Sequence, residues 1–519
     1  MPVPQQKTTP KTPSLQRRTL RSTLIGGANF VFAFINQIAL VPILLEFWGE
    51  EKYGLWIALL AFVTLLRTLD SGHQLFVGNE FNRQYFSEPK AAILTVGSSL
   101  RIALFLGLIE LLIATGVIVF GWVEELVGIE DGPYAWEVKS GILVLSFMWF
   151  LVGSIGGLVV RFMLPFGKYA IFISLALVLQ VLTFIVTLSV ALLDLGLLTL
   201  CLTLSIVQTI YSVIVIYYVY RIIPQVLRHW RRGSWKIGWD NFLRSLVITY
   251  NNFLLQMNTN GIIVVVSSLL GALLVPVFTT IRTLANTVVQ ATELISNPLQ
   301  PDIIRYHASG EGWKIRTIME ANWLVGSISV NLPILILIPF VESLYAIWTR
   351  GELTFYPTLF YGLALSVSLI NYGKSMTIYL TGINHLRAIS VITTVRAVIA
   401  IGFSFLLLPM MGLAGAGIAA FTAEICCSVL IPAWFTYKEF GRYPGVHFPF
   451  QRAVVALLPV AILAGYMILQ FVVPYPYWML AAAILLTSLV YQYQWKKLDE
   501  EVQQRLLSLI PSKIRSTFS

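Results

Sequence analysis

RFMLPFGKYAIFISLALVLQVLTFIVTLSVALLDLGLLTLCLTLSIVQTIYSVIVIYYVYRIIPQVLRHWRRGSWK, residues 161–236, carries the pattern that governs the whole chain. Two apolar runs, 170–192 and 196–219, are each long enough to cross a bilayer, which takes about 20 residues of helix. The turn between them has no Lys or Arg, whereas the flanking segments 161–168 and 221–240 are basic. Two membrane helices whose outer ends both lie on the positive side satisfy that pattern.

The same alternation runs outward in both directions. Apolar stretches at 22–45, 54–80, 97–122 and 139–160 precede the hairpin, and 243–270, 275–300, 317–339, 356–382, 387–409, 413–436, 453–472 and 475–494 follow it. The expected fold is therefore all-α and polytopic, with about fourteen transmembrane helices. Of the 35 Lys and Arg, 26 fall in every second connection or in the tails, and only Lys52, Lys139 and Arg350 fall on the opposite side. The positive-inside rule then puts both termini in the cytoplasm.

The net charge of +10 is spread over membrane-flanking segments, where anionic lipid headgroups attract it, so membrane lipids are expected partners and nucleic acid is not. Cys201, Cys426 and Cys427 all lie within spans and read as small apolar packing residues. The first apolar stretch is too long for a signal-peptide core. The outer connections, the longest near 123–138, leave no room for an external catalytic domain.

An offset of 222 or 223 residues lays Leu20-Arg21-Ser22 on Leu243-Arg244-Ser245 and Phe81-Asn82-Arg83 on Ile303-Ile304-Arg305. Six helices separate the matches, so the repeat is parallel. The expected organisation is a basic cytoplasmic tail (1–21), a six-helix lobe (22–220), a Trp- and Arg-rich interfacial linker (221–242), a second six-helix lobe (243–437), two additional helices (438–494) and an amphipathic cytoplasmic tail (495–519).

Polar residues inside the spans point to function. Helix 275–300 carries Thr279, Thr283, Asn286, Gln290, Glu293 and Asn297 at spacings of three and four, with Arg282 beside them, which draws one polar stripe. Helix 54–80 carries Thr64, Arg67, Ser71, Gln74 and Gly78, with Asp70 adjacent. The first helix of each half repeats the theme through Asn29 and Asn36, and through Asn252 and Gln256. Such faces line a polar cavity or hydrogen-bond helix to helix.

Arg67, Arg282, Lys374 and Arg396 lie well inside spans, where a cation faces water, an anion or a paired carboxylate. Asp70, Glu110, Glu293 and Glu424 are candidate partners for structural ion pairs. Otherwise the six basic residues inside spans exceed the four acidic ones that lie away from span ends, Glu80 and Glu320 standing within four residues of an end, and such a surplus suits an anionic substrate. Arg67, Arg282, Ser71, Gln74, Asn29, Asn36, Asn252, Gln256, Asn286, Gln290, Lys374 and Arg396 are the candidate cavity residues. Asp70 and Glu293 are the candidate H+ or Na+ coupling sites. No metal, catalytic residue or other cofactor is expected. The run Met411-Gly-Leu-Ala-Gly-Ala-Gly417 imitates a dinucleotide fingerprint, but no strand precedes it, and its small residues suit close helix packing.

Lys52-Tyr53-Gly54-Leu55-Trp56, Leu69-Asp70-Ser71-Gly72 and Met411-Gly412-Leu413-Ala414-Gly415-Ala416-Gly417-Ile418-Ala419 resemble the polysaccharide transporter family, which includes the O-antigen flippases, within the multidrug/oligosaccharidyl-lipid/polysaccharide exporter superfamily. The resemblance runs from about residue 17 to 494. It implies two lobes forming a V-shaped cavity in a bacterial inner membrane. It also implies a flippase that moves an undecaprenyl-pyrophosphate-linked oligosaccharide between leaflets by alternating access during surface polysaccharide biosynthesis, with glycan-assembly proteins as partners. The added helix pair resembles the fourteen-span lipid II flippases. A cation-coupled multidrug or metabolite exporter is the alternative, and carboxylates outweighing arginines would favour it. A membrane enzyme would need a large outer loop bearing Arg and His, and the outer segments hold no His.

Overall fold

The computed structural model describes residues 15–129, 132–222, 224, 230–296, 299–473 and 477–509. Among them there is helix and no strand. Ten helices are long and apolar enough to cross a membrane by length and composition, and the chain is an all-α, multi-pass membrane protein. The described residues of each span expected from the sequence lie mainly on helix. The ten are fewer than expected because the first span runs on into the second as one kinked helix, and because polar stripes or aromatic and amide side chains lower the hydropathy of Leu274–Ser296, Pro357–Gly382 and Tyr477–Lys496.

Contacts divide the chain into two compact units, one of Met1–Glu125 with Ile129–Phe253 and one of Leu126–Gly128 with Leu254–Ser519. In the first, α1 (Leu15–Leu66) breaks at Gly49, whose φ of 69° suits a residue without a Cβ. Just beyond the break Lys52 is buried, its Nζ 3.3 Å from Asp194 Oδ1 and 4.8 Å from the Trp48 ring. Then come α2 (Thr68–Ser87) and α3 (Pro89–Val119), which opens on a proline whose missing N–H the first turn does not need. The short α4 (Trp122–Val127) follows, then α5 (Ala135–Met148), a π-helical turn (Trp149–Gly153) and α6 (Ser154–Arg161). α7 (Tyr169–Leu192), α8 (Leu197–Ile222) and a 3-10 turn (Trp230–Arg232) lead to α9 (Trp235–Gln256), of which the part up to Phe253 belongs to this unit. Val77, Phe81, Val96, Leu158, Phe162 and Val215 form its core. Beside α4, Lys139 pairs with Glu124, and the hydrogen bond from Lys139 holds the Glu124 carboxyl below its ordinary range.

The second unit takes in a π-helical turn (Met257–Gly261), α10 (Ile262–Leu270), α11 (Leu274–Ser296), α12 (Gln300–Ala308), α13 (Gly312–Leu337), α14 (Val341–Trp348), α15 (Pro357–Gly382), α16 (Leu386–Met411) and α17 (Leu413–Glu424). A third π-helical turn (Ile425–Leu430) joins α17 to α18 (Ile431–Phe440). Its core holds Trp323 stacked on Tyr372 at 5.7 Å, with Met376, Tyr379 and Phe440. The glycine-rich run packs as its small residues suggest: a Cβ on Gly362 of α15 would stand 2.5 Å from the backbone carbon of Gly417. α19 (Phe450–Gln470) and α20 (Tyr477–Lys496) fasten to α13 and its neighbourhood through Arg452 Nη1, 2.8 Å from Glu320 Oε2, and Tyr491 Oη, which donates to the Ser327 carbonyl at 2.9 Å. α21 (Glu500–Leu509) is the amphipathic helix read from the sequence, and Leu506 on it packs near Ala321 and Leu324 of α13.

Candidate functional site

Each of three intramembrane arginines is held at a π-helical turn. A turn with i→i+5 bonding is one residue too wide for an α-helix, an arrangement frequent at functional sites. Arg67 sits where α1 ends and α2 begins, which bends the expected span 54–80 in its middle. Its guanidinium lies 4.6 Å over the ring of Trp149, first residue of the first π turn, and Nη2 donates to the Leu145 carbonyl at 3.4 Å. Trp149 also donates Nε1–H to Asp70 Oδ2 at 3.2 Å, and Gln74 donates to Asp70 Oδ1 at 2.9 Å and to the Ser154 carbonyl at 3.4 Å.

Asp70 is fully buried and Glu110 on α3 nearly so, and Glu110 lies within electrostatic reach of both Asp70 and Arg67. The structure thus brings Arg67, Asp70 and Gln74 together with Glu110 and Trp149. Ser71 is half-buried and donates to the Thr68 carbonyl at 3.1 Å. Asn29 and Asn36 are half-buried on α1, and the Asn36 Oδ1 atom is buried without a hydrogen-bond partner among the described residues. Asn252 is half-buried near the end of α9.

In the second unit Arg282 of α11 donates from Nη1 to the Thr259 carbonyl, inside the second π turn, at 2.7 Å, and its guanidinium lies 5.1 Å from the Phe278 ring. Gln256 Oε1 accepts from Asn260 at 2.6 Å and Thr259 at 3.2 Å, closing a polar patch around that turn. Among the described residues Arg282 has no carboxylate in ion-pair contact. Asn286, one turn along α11, is exposed. The side chains of Gln290 and Glu293 and all of Asn297 lie outside the described residues.

Arg396 of α16 stands differently. Its Nε is 2.7 Å from Glu424 Oε1 and its Nη2 donates to Glu424 Oε2 at 3.0 Å, with Ser428 of the third π turn 3.3 Å from the same Nη2. An ion pair with one hydrogen bond to the carboxylate and one to Ser428 gives this guanidinium a structural partner that Arg282 lacks among the described residues. Lys374 is half-buried on α15.

Solved structures of similar shape exist. An inward-facing conformation of a multidrug resistance MATE family transporter of the MOP superfamily has a TM-score of 0.61 at 14% identity, covering 82% of this chain and 98% of that one. The chain is similar in fold to the MATE transporters. An outward-facing conformation of such a transporter gives a TM-score of 0.56 at 13% identity over 83% of this chain and 97% of the other. A mutant of the Vibrio cholerae MATE transporter VcmN gives 0.55 at 15%, over 83% and 98%. No family model matches the chain, and no curated protein does.

Sequence reading missed Trp149 and the Thr259 carbonyl. The first had a signal, since a Trp in mid-span lies away from the interface where Trp belongs. A backbone acceptor has none.

Proposed function

We propose that the chain is a secondary transporter that flips an anionic lipid-linked oligosaccharide, of undecaprenyl-pyrophosphate type, from the inner to the outer leaflet by alternating access for surface polysaccharide biosynthesis. Arg282 carries this reading. A guanidinium at membrane depth costs at least about 2.5 kcal/mol to insert, and one held by a backbone carbonyl and a ring keeps donors for a phosphate oxygen. The resemblance of Lys52–Trp56, Leu69–Gly72 and Met411–Ala419 to polysaccharide transporters supports it. So do the inward- and outward-facing structures of the same fold. The basic residues orient the chain in a bacterial cytoplasmic membrane with both termini in the cytoplasm.

Asp70, with Glu110 in electrostatic reach of it, is the proposed coupling site. One guanidinium beside two buried carboxyl groups leaves a negative charge to balance, and a proton or Na+ balances it when bound and releases it when lost. That carboxylate excess also favours the second reading, a cation-coupled multidrug exporter.

The test is Arg282→Ala and Glu110→Gln at matched expression. Undecaprenyl-linked oligosaccharide accumulating on the inner leaflet of the Arg282→Ala strain supports the flippase. Normal surface glycan there, with drug efflux lost in Glu110→Gln, overturns it in favour of the exporter.

A further inference from the structure

Away from these arginines, the first unit holds a cavity of about 680 Å³ at its basic end. Leu100 and Leu104 of α3, Val159 of α6 and Ile216 of α8 give it apolar walls. Tyr217, Trp230 and Arg101 stand at its rim. Val213 and Tyr217 are exposed on the adjoining face of α8, so the slot continues an apolar surface of the kind that meets acyl chains.

The rim is cationic. Arg101 donates from Nη2 to the Arg231 carbonyl at 2.8 Å, Arg231 lies 5.4 Å over the Trp230 ring and Arg221 5.9 Å over the Tyr217 ring. None of these three arginines has a carboxylate in ion-pair contact among the described residues. Aromatic rings and unpaired guanidinium groups at the end of an apolar slot match the chemistry of a lipid with an anionic headgroup.

The rim is also preorganised. Ser234 donates its backbone N–H to Ser98 Oγ at 2.9 Å, and a Cβ on Gly233 would stand 2.2 Å from the Gly97 carbonyl carbon. The Trp230–Arg232 turn is therefore clamped to α3 by a contact that only glycine allows.

We infer that this slot binds one anionic phospholipid of the adjacent leaflet, acyl chains against α3, α6 and α8 and phosphate at the mouth beside Arg101, so that the lipid pins the Trp230–Arg232 turn to α3. A fixed pocket loses less freedom on binding than a mobile one, and the cations select for charge.

The test uses the full-length, delipidated protein in detergent. Phosphatidylglycerol should raise the melting temperature and remain at one molecule per chain by native mass spectrometry. Phosphatidylcholine of the same chains, glycerol phosphate and inorganic phosphate should do neither. Arg101→Gln should weaken the phosphatidylglycerol effect about fivefold, the share of one cation near a lipid surface. Leu104→Trp, which fills the slot, should abolish retention and serves where Arg101→Gln does not fold. Equal retention of the two lipids overturns the inference in favour of a general lipid annulus. A shift by phosphate alone points to a free-anion site, and retention by Leu104→Trp places the lipid elsewhere; either overturns it.

Discussion

Glu424→Leu tests whether Arg396 is a structural cation or a ligand contact. The change keeps side-chain volume and leaves the guanidinium facing the vacated side of its ion pair, with Ser428 as remaining neighbour. Removing one partner of a buried pair costs about 3–5 kcal/mol. Glu424 is 7% exposed and Arg396 23%, so protein does not fully enclose the guanidinium and the lower end, about 3 kcal/mol, applies. For a unit of this size, about 2–4 °C per kcal/mol converts that to a fall in melting temperature of about 6–12 °C. Adding Arg396→Met removes the stranded charge, and the double variant should recover most of the loss, since an apolar pair of similar volume is often neutral. Thermal unfolding in detergent across the four-member cycle measures the coupling. A single variant within about 0.5 kcal/mol of wild type, or a double variant no better than the single, refutes the ion-pair account. A stable double variant that no longer transports would return Arg396 to the substrate path.

Trp149→Phe keeps a ring beneath Arg67 but removes the N–H that reaches Asp70. It should cost about 1.5–3 kcal/mol if Asp70 is ionised, read by the same melts, and shift the pH profile of transport; an unchanged profile removes Trp149 from the coupling cluster. Gly362→Ala forces α15 and α17 apart at the Gly417 contact and should destabilise by about 1–3 kcal/mol, while Gly402→Ala, in open space on α16, should not. On α4, the Glu124 carboxyl is lowered by Lys139, so its contribution is present above the unfolded value of about 4.3 and is lost as pH falls through the lower folded value. Melts between pH 3 and 7 should show Lys139→Ala differing from wild type at neutral pH and converging with it in acid; a constant difference removes the linkage.

Hydropathy made the multi-pass helical fold legible, because burial in lipid acts on composition, which the sequence prints directly. The run Met411–Gly417 was legible for the same reason: small residues on a membrane helix admit close neighbours, here Gly362 against Gly417 and Leu407 against Gly415. The stripe of α2 was legible as a stripe, but its bend at Arg67 was not, since no Pro or Gly marks it. Pairing was the least legible. Four acids were in principle available to the arginines, and the choice of Glu424 for Arg396 depends on the tertiary approach of α16 to α17, which one-dimensional spacing does not encode. The π turns left no composition signature, because i→i+5 and i→i+4 bonding use the same residues.

Those turns have a geometric consequence. A single extra residue in a helix advances its side chains by about 100°, so a helix that contains a π turn is two amphipathic faces joined out of phase. In the second unit the wide turn at Met257–Gly261 sets the residues from Ile262 onward about 100° away from the register that an unbroken helix would give them relative to Gln256. The extra residue works as a phase shifter: deleting it would leave a helix of the same composition with its two halves in the wrong relative rotation.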